Sequence, residues 1–136
     1  MAAYLLDINH LSPLVTLGHP LREKVLHRMA SGDVFAVAAP TLTETLFGIS
    51  LLPRMMQNRA EWARLQAGFG FYEVLRSDAE LAADLQIALR RRGWQLETVD
   101  ALTASIALRN DLTLLTTDQD FSGLPQLRQE NWLKDK

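Results

Sequence analysis

Residues 99–121 read VDALTASIALRNDLTLLTTDQDF, an alanine-rich segment followed by a short apolar run and an acidic turn. Residues 99–109 are typical of a helix, and residues 112–116 are typical of a strand covered on both faces. The strand is then ended by a turn made of Thr117, Asp118, Gln119 and Asp120. A helix that leads into a buried strand of this kind is a building block of α/β proteins with a parallel sheet.

The rest of the chain continues this alternation of strands and helices. Apolar runs at residues 3–6 and 34–39 predict buried strands, and residues 72–75 predict a weaker one. Apolar side chains spaced three and four apart predict helices at residues 21–32, from 42 onward, at 54–69 and at 77–93. We therefore predict a single domain over residues 1–136, with a three-layer α/β/α fold and a central, mainly parallel sheet.

The composition restricts the classes of protein to which the chain can belong. With 48% hydrophobic and 22% charged residues, it is typical of a globular protein. The absence of cysteine excludes disulfides, thiolate metal sites and a cysteine nucleophile. Neither a signal peptide nor a membrane span is predicted, so we expect a cytoplasmic protein without membrane contact. The formal net charge of −2 means that contact with nucleic acid must depend on a local basic patch or on bound cations.

Four carboxylates stand at the ends of the predicted strands or near the start of the helices that follow them. Asp7 ends the first strand, and Glu44 is expected in the first turn of the helix after the second. Asp100 opens the alanine-rich helix, and Asp118 follows the last strand. Ligands of parallel sheets bind beyond the carboxyl ends of the strands, so these acids are expected to meet there. Their mutual repulsion favours a hard cation such as Mg²⁺, which could activate water for attack on a phosphate.

Each of these acids also has a purely structural explanation. Thr41 followed three residues later by Glu44 is a capping-box pattern, which by itself favours a capping role for Glu44. Asp100 could complement the helix dipole, with Thr98 as the cap. The acids at the strand ends, including Asp120, could be ordinary turn residues. Periodicity alone does not decide between these explanations and a shared site.

Four segments, in chain order, resemble motifs of the PIN-domain family. They are residues 4–9 (YLLDIN), 41–49 (TLTETLFGI), 99–107 (VDALTASIA) and 114–121 (LLTTDQDF). Residues 124–132 also resemble the C-terminus of VapC-type toxins, the ribonucleases of toxin–antitoxin systems. The ordered set covers nearly the whole chain and is more specific than any one motif.

The resemblance implies an Mg²⁺- or Mn²⁺-dependent endoribonuclease that is the toxin of a type II toxin–antitoxin pair. It implies RNA as the substrate, a cognate antitoxin as a partner, and a homodimer. The acids that match the family's catalytic metal site are Asp7, Glu44, Asp100 and Asp118. The residues expected to support that site are Asn9, Thr116, Thr117 and Asp120.

The chain departs from the family pattern at two positions. Ile8 stands where threonine or serine is usual, and His10 stands where an apolar residue is common. Because His10, His19 and His27 lack the spacing of metal ligands, we interpret all three as structural or exposed.

Two surface features have competing interpretations. Residues 90–92 are three arginines, and Trp94 follows them. In one interpretation the arginines bind RNA phosphates and the tryptophan stacks on a base. In the other, the arginines are the basic end of a helix and the tryptophan packs on a loop. The apolar stripe of Met55, Trp62 and Phe69 could line a groove for an antitoxin, or it could pack into the core.

Three other functions are alternatives to a nuclease. A phosphate-receiving signalling domain would need a lysine beyond the last strand, and none follows Thr117. A phosphatase would need a second aspartate where Asn9 stands. The third is a catalytically silent PIN-like module that only binds partners. Its retained acids argue against it, whereas Ile8 keeps it open.

Overall fold

The structure, a computed structural model, describes residues 1–133, so residues 134–136 of the predicted domain lie outside the described residues. Its centre is a five-stranded sheet with the strand order β3-β2-β1-β4-β5, and every neighbouring pair is parallel. The strands are β1 (Ala3–Leu6), β2 (Val34–Ala38), β3 (Gly70–Tyr72), β4 (Thr113–Leu115) and β5 (Gln129–Glu130). The expected parallel sheet is therefore confirmed.

The described part of the chain holds six α-helices. They are α1 (Ile8–Leu11), α2 (Pro20–Ala30), α3 (Ala39–Leu51), α4 (Met55–Leu65), α5 (Arg76–Arg90) and α6 (Thr98–Arg109). Short 3₁₀ helices occupy Ser12–Val15, Gln66–Gly68 and Gln119–Gly123. Within residues 1–133, no helix combines the length and the apolar character needed to cross a membrane.

Alternating side chains of the central strand β1 enter two separate apolar cores. Leu5 packs in a core formed with α5 and α6, whereas Tyr4 and Leu6 pack in a core formed with α2, α3 and α4. This alternation follows from the two-residue period of a strand, since both faces of the sheet are covered. The predicted three-layer α/β/α architecture is confirmed.

Several element boundaries differ from the sequence prediction. The strand predicted at residues 72–75 lies instead at Gly70–Tyr72, because Leu75 already caps α5 and its N–H donates to Asp78 Oδ2 at 2.8 Å. The helix predicted at residues 54–69 ends at Leu65 and continues as a 3₁₀ turn. Strand β5 was not predicted, because two residues are too few to produce a pattern.

The apolar stripe predicted on residues 54–69 is divided between core and surface. Trp62 is only 6% exposed and its ring stacks on Phe69, with ring centres 5.8 Å apart. Met55, at the other end of the stripe, is exposed. Trp62 therefore packs in the core as one interpretation predicted, whereas Met55 lies on the surface, and the antitoxin groove stays a prediction.

Candidate metal centre at the carboxyl ends of β1 and β4

The pairing of β1 with β4 places Asp7 beside Thr116. Leu6 pairs with Leu115, and the N–H of Asp7 extends the ladder by donating to the Leu115 carbonyl at 3.0 Å. The hydroxyl of Thr116 then donates to Asp7 Oδ2 at 2.7 Å. The other oxygen, Oδ1, accepts from the N–H of Ile8 at 2.9 Å and caps α1. Asp7 is therefore buried in a fixed orientation.

Asn9 connects the same two strand ends by its side-chain amide. Its Nδ2 donates to Asp7 Oδ2 at 3.2 Å, and its Oδ1 accepts from the backbone N–H of Thr117 at 3.0 Å. Asn9 and Thr116 thus contact Asp7 directly. Thr117 joins the network through its backbone, and its side chain is exposed.

His10 extends this network to the last described residues. It is fully buried, with Nδ1 2.7 Å from Asn9 Oδ1, and its Nε2 accepts from the N–H of Trp132 at 3.0 Å. These bonds require a neutral ring with its proton on Nδ1. Burial, followed by the charge of Lys24, lowers the pKa of His10 to about 4, in agreement with the neutral form. The structural role expected for His10 is correct, but its link to Asn9 was missed; the signal was a histidine at a usually apolar position.

A second group of acids lies around the turn after β4. The N–H of Asp118 donates to Thr116 Oγ1 at 3.0 Å, and Asp118 Oδ1 accepts from the N–H of Asp120 at 2.9 Å. Carboxylate oxygens of Asp100, Asp118 and Asp120 all lie within 4.8 Å of one another, and we call these three residues the acid cluster. Asp120, expected only to support the site, thus stands beside two of the predicted metal ligands.

Packing of α3 on α6 positions Glu44 and Asp100. The buried hydroxyl oxygens of Thr41 on α3 and Thr103 on α6 lie 3.4 Å apart. Glu44 is three residues beyond Thr41, and Asp100 is three residues before Thr103, so each acid lies one turn from this contact on its own helix. The contact therefore directs both acids toward the same region.

The capping explanation for Glu44 is wrong. Helix α3 begins at Ala39 with Pro40 in its first turn, so Thr41 is inside the helix and Glu44 lies in the second turn rather than the first. Thr98 likewise is the first residue of α6 and not its cap, which is Glu97. With its expected cap residue inside the helix, Glu44 has no capping role in this structure.

Burial and neighbouring carboxylates raise the pKa values of Asp7, Glu44 and Asp100. Burial, followed by the charges of Asp7, Asp118, Glu44 and Asp120, raises the pKa of Asp100 to about 7. Burial also raises the pKa of Asp7, although the hydrogen bonds from Thr116, Ile8 and Asn9 oppose the increase. For Glu44, burial and then the charges of Asp7 and Glu97 raise the pKa. The region therefore holds more negative charge than its own hydrogen bonds compensate.

This donor set fits a hard divalent cation. Carboxylate oxygens are the ligands of Mg²⁺ and Mn²⁺, whereas softer metals prefer imidazole or thiolate. Burial, followed by four neighbouring acids, raises the pKa of Asp100, and among residues 1–133 its side chain accepts no hydrogen bond. A cation would supply the counter-charge that the protein's own groups leave out.

The chain is similar to known proteins in both sequence and fold. The sequence pattern of the PIN domain matches residues 4–127, which confirms the family resemblance. No curated protein matches the chain. The fold is similar to VapBC2 from Rickettsia felis bound to a promoter DNA fragment (TM-score 0.82, 22% identity, covering 96% of this chain and 98% of that one). It is also similar to DNA-bound VapBC from Salmonella typhimurium (TM-score 0.80, 19% identity, covering 97% of this chain and 99% of that one). A third similar structure is VapC20 from Mycobacterium tuberculosis, a sarcin-ricin loop cleaving toxin (TM-score 0.67, 18% identity, covering 90% of this chain and 95% of that one).

Proposed function

We propose that this chain, which belongs to the PIN domain family, is a metal-dependent endoribonuclease and the toxin of a type II toxin–antitoxin pair. The observation that carries the proposal is the acid cluster, with Asp7 and Glu44 close enough to raise the pKa of Asp100. RNA as the substrate agrees with the description of VapC20 as a toxin that cleaves the sarcin-ricin loop. The chain acts as one domain in the cytoplasm. A catalytically silent module would have no use for this concentration of carboxylates.

The carboxylates are the proposed metal ligands, and the residues around them orient one of these carboxylates. Asp100 and Asp118, joined by Asp120, would hold Mg²⁺ or Mn²⁺, and Asp7 and Glu44 would complete the carboxylate set. The ion, when bound, supplies a counter-charge for the phosphate and activation of water. Thr116 and Asn9 keep the carboxylate of Asp7 in one orientation, because both donate hydrogen bonds to its Oδ2.

Cleavage is expected to stop in excess chelator, to resume with Mg²⁺ or Mn²⁺, and to leave a 5′-phosphate on the downstream fragment. Water is the expected nucleophile, because no histidine of residues 1–133 is placed to activate a 2′-hydroxyl. Both ring nitrogens of His10 are engaged, His19 caps α2, and His27 is exposed on the same helix. Gel analysis of end-labelled RNA provides the measurement. Activity that persists in chelator, or products with 2′,3′-cyclic phosphates, would contradict the proposal.

Glu44→Gln is expected to reduce cleavage by at least about 10–100-fold with little change in stability. That range is the loss found when groups that support a metal site are removed. Stability should be nearly unchanged because Glu44 does not cap α3 and is only partly buried. Cleavage rates and urea unfolding are the measurements. The matched control is Glu80→Gln, an exposed acid on α5 that does not affect the pKa of Asp100. If Glu44→Gln and the control behave alike, the metal site does not include Glu44.

An apolar patch on the surface is the proposed homodimer interface. Its side chains, from the end of α3 to the start of α4, are Phe47, Leu51, Leu52, Met55 and Met56. Phe47 is 68% exposed and Met56 is 77% exposed, and several large apolar side chains exposed along one stretch of chain are typical of protein interfaces. The cognate antitoxin is the second proposed partner, as in the VapBC complexes of similar fold. Light scattering at micromolar concentration should give a dimer mass for the parent and a monomer mass for Met56→Glu. A monomeric parent would refute the dimer.

A further inference from the structure

We infer that the cavity beside Trp94 binds an unpaired nucleotide of the RNA strand, with the indole stacking on the base and Arg90 and Arg91 contacting phosphates. The inference rests on the proposed nuclease function and names the form of RNA that the site accepts. The cavity has a volume of about 530 Å³ and lies between the end of α5 and the loop before α6. Its lining includes Gln86, Ile87, Arg90, Trp94 and Leu96. This volume lies within the range of small-ligand pockets.

The indole of Trp94 is held in place before any ligand binds. Its Nε1 donates to the carbonyl of Asp120 at 2.9 Å. The backbone of Gly123 packs closely against the ring, since a Cβ at that position would lie 3.2–3.3 Å from two atoms of its fused bond. Trp94 is nevertheless 39% exposed and lines the cavity. A fixed, partly exposed aromatic ring is a stacking platform that costs little conformational entropy to use.

The cavity and the acid cluster are joined by direct contacts. Asp120 contributes its carboxylate to the acid cluster and its carbonyl to Trp94. On the other side of the cavity, Nε2 of Gln86 donates to the Leu96 carbonyl at 2.9 Å and to Thr98 Oγ1 at 3.3 Å. These bonds hold the loop from which α6, with Asp100 in its first turn, begins. A nucleotide in the cavity would therefore neighbour the phosphate that reaches the acids.

The charges around the cavity complement a nucleotide. The acid cluster repels a polyanion, and the protein's net charge of −2 offers no general attraction. Arg90 and Arg91 are exposed, and within residues 1–133 neither side chain forms a hydrogen bond or ion pair. Arg92 differs, because it donates to the carbonyl of Gly123 at 2.6 Å and holds the loop. The available guanidinium group of Arg90, which lines the cavity, and that of Arg91, the next residue along the chain, provide the phosphate contacts that the acids cannot.

The form of RNA follows from the indole. A base can stack on a side chain only when it is unstacked from its own helix, as in loops, bulges and single strands. The inferred substrate is therefore RNA that is unpaired next to the cleaved bond, and a continuous duplex is excluded from the cavity.

The test measures RNA binding separately from cleavage. Fluorescently labelled RNA of mixed sequence, single-stranded or annealed to its complement, is titrated by anisotropy with full-length protein carrying Asp100→Asn, in millimolar Mg²⁺. Trp94→Leu, which removes the aromatic face, is expected to weaken binding of the single strand by about 5- to 150-fold, the equivalent of one lost base stack. Arg90→Gln is expected to weaken it as well. The duplex is expected to bind more weakly than the single strand.

Two matched variants distinguish base binding from a structural role. Trp94→Phe loses the hydrogen bond to Asp120 but keeps an aromatic face. Because that face can still stack on a base, this variant should bind the single strand nearly as tightly as the protein with Trp94. Arg76→Gln removes an exposed arginine at the other end of α5, roughly 21 Å from Arg90 at 1.5 Å per residue, and should have no effect. The inference would be overturned if Trp94→Phe and Trp94→Leu lost the same RNA affinity, or if duplex and single strand bound equally. It would also be overturned if the variants changed only the inhibition by an antitoxin. If the Asp100→Asn protein binds as expected but the protein without this substitution never cleaves RNA, the nuclease proposal alone is refuted.

Discussion

Asp100→Asn is expected to raise the free energy of unfolding of the metal-free protein by about 0.5–2 kcal/mol and to reduce RNA cleavage by more than about 100-fold. The stabilisation follows from surroundings that raise the pKa of Asp100 to about 7 and from the absence of any described hydrogen bond to its side chain. Asparagine keeps the shape and removes the repelled charge. Cleavage is lost because the same charge is required to hold the cation.

The stabilisation should depend on pH in a defined direction. The pKa of Asp100 is about 7 in the folded protein, against its ordinary value of 3.8. Between these values the folded state binds more protons than the unfolded state, so this group makes the parent less stable as pH rises. The advantage of Asp100→Asn should therefore be absent near pH 4 and complete above about pH 7. His10 contributes a slope of opposite sign, because its pKa is lowered, but it is present in both proteins and cancels in the difference.

Urea unfolding in chelator, from about pH 4 to pH 8, measures this difference. Thermal unfolding with and without millimolar Mg²⁺ provides a second readout, because a ligand stabilises only the state that binds it. The parent should gain stability from Mg²⁺, and Asp100→Asn should gain much less. An advantage that is constant with pH, together with equal effects of Mg²⁺ on both proteins, would show that Asp100 is not a repelled metal ligand.

Asp7→Asn is expected to lower the stability of the metal-free protein by about 1–3 kcal/mol, although it also removes a charge from the site. Asp7 Oδ2 accepts from both Thr116 and Asn9, and Oδ1 accepts from the N–H of Ile8. An asparagine has one acceptor oxygen, so its NH₂ group would face a donor at one of these positions. The lost hydrogen bonds to a buried carboxylate should outweigh the relieved repulsion. Cleavage should again fall by more than about 100-fold.

A double-mutant cycle with Thr116→Val identifies the cause. If the hydroxyl of Thr116 is the donor that asparagine cannot accommodate, Asp7→Asn should cost less in the Thr116→Val protein than in the parent. Urea unfolding of the four proteins gives the coupling energy. A stabilising Asp7→Asn, equal in both backgrounds, would mean that repulsion dominates at Asp7 as it does at Asp100.

The accuracy of the sequence prediction depended on how local each signal is. Strands β1, β2 and β4 were predicted nearly to the residue, since a buried parallel strand is a continuous apolar run. The start of α3 was misplaced because Pro40 lies in its first turn, and the sequence offered Thr41 as a more familiar cap. The expectation that the acids lie close together came from the topology of parallel sheets. The contacts of His10 with Trp132, and of Trp94 with Asp120, join residues too distant in the chain for any local pattern to predict.

The strand order also determines when, during synthesis, the residues of the proposed site come together. The central strand β1 is synthesised well before its neighbour β4, which places Thr116 against Asp7. At roughly 5–20 residues per second, Asp118 follows Asp7 by roughly 5–20 s. During that interval the nascent chain carries Asp7, and later also Glu44, without the complete acid cluster. The proposed site is therefore complete only after β4 has been made, so the proposed cleavage of RNA cannot begin earlier in the synthesis of this domain.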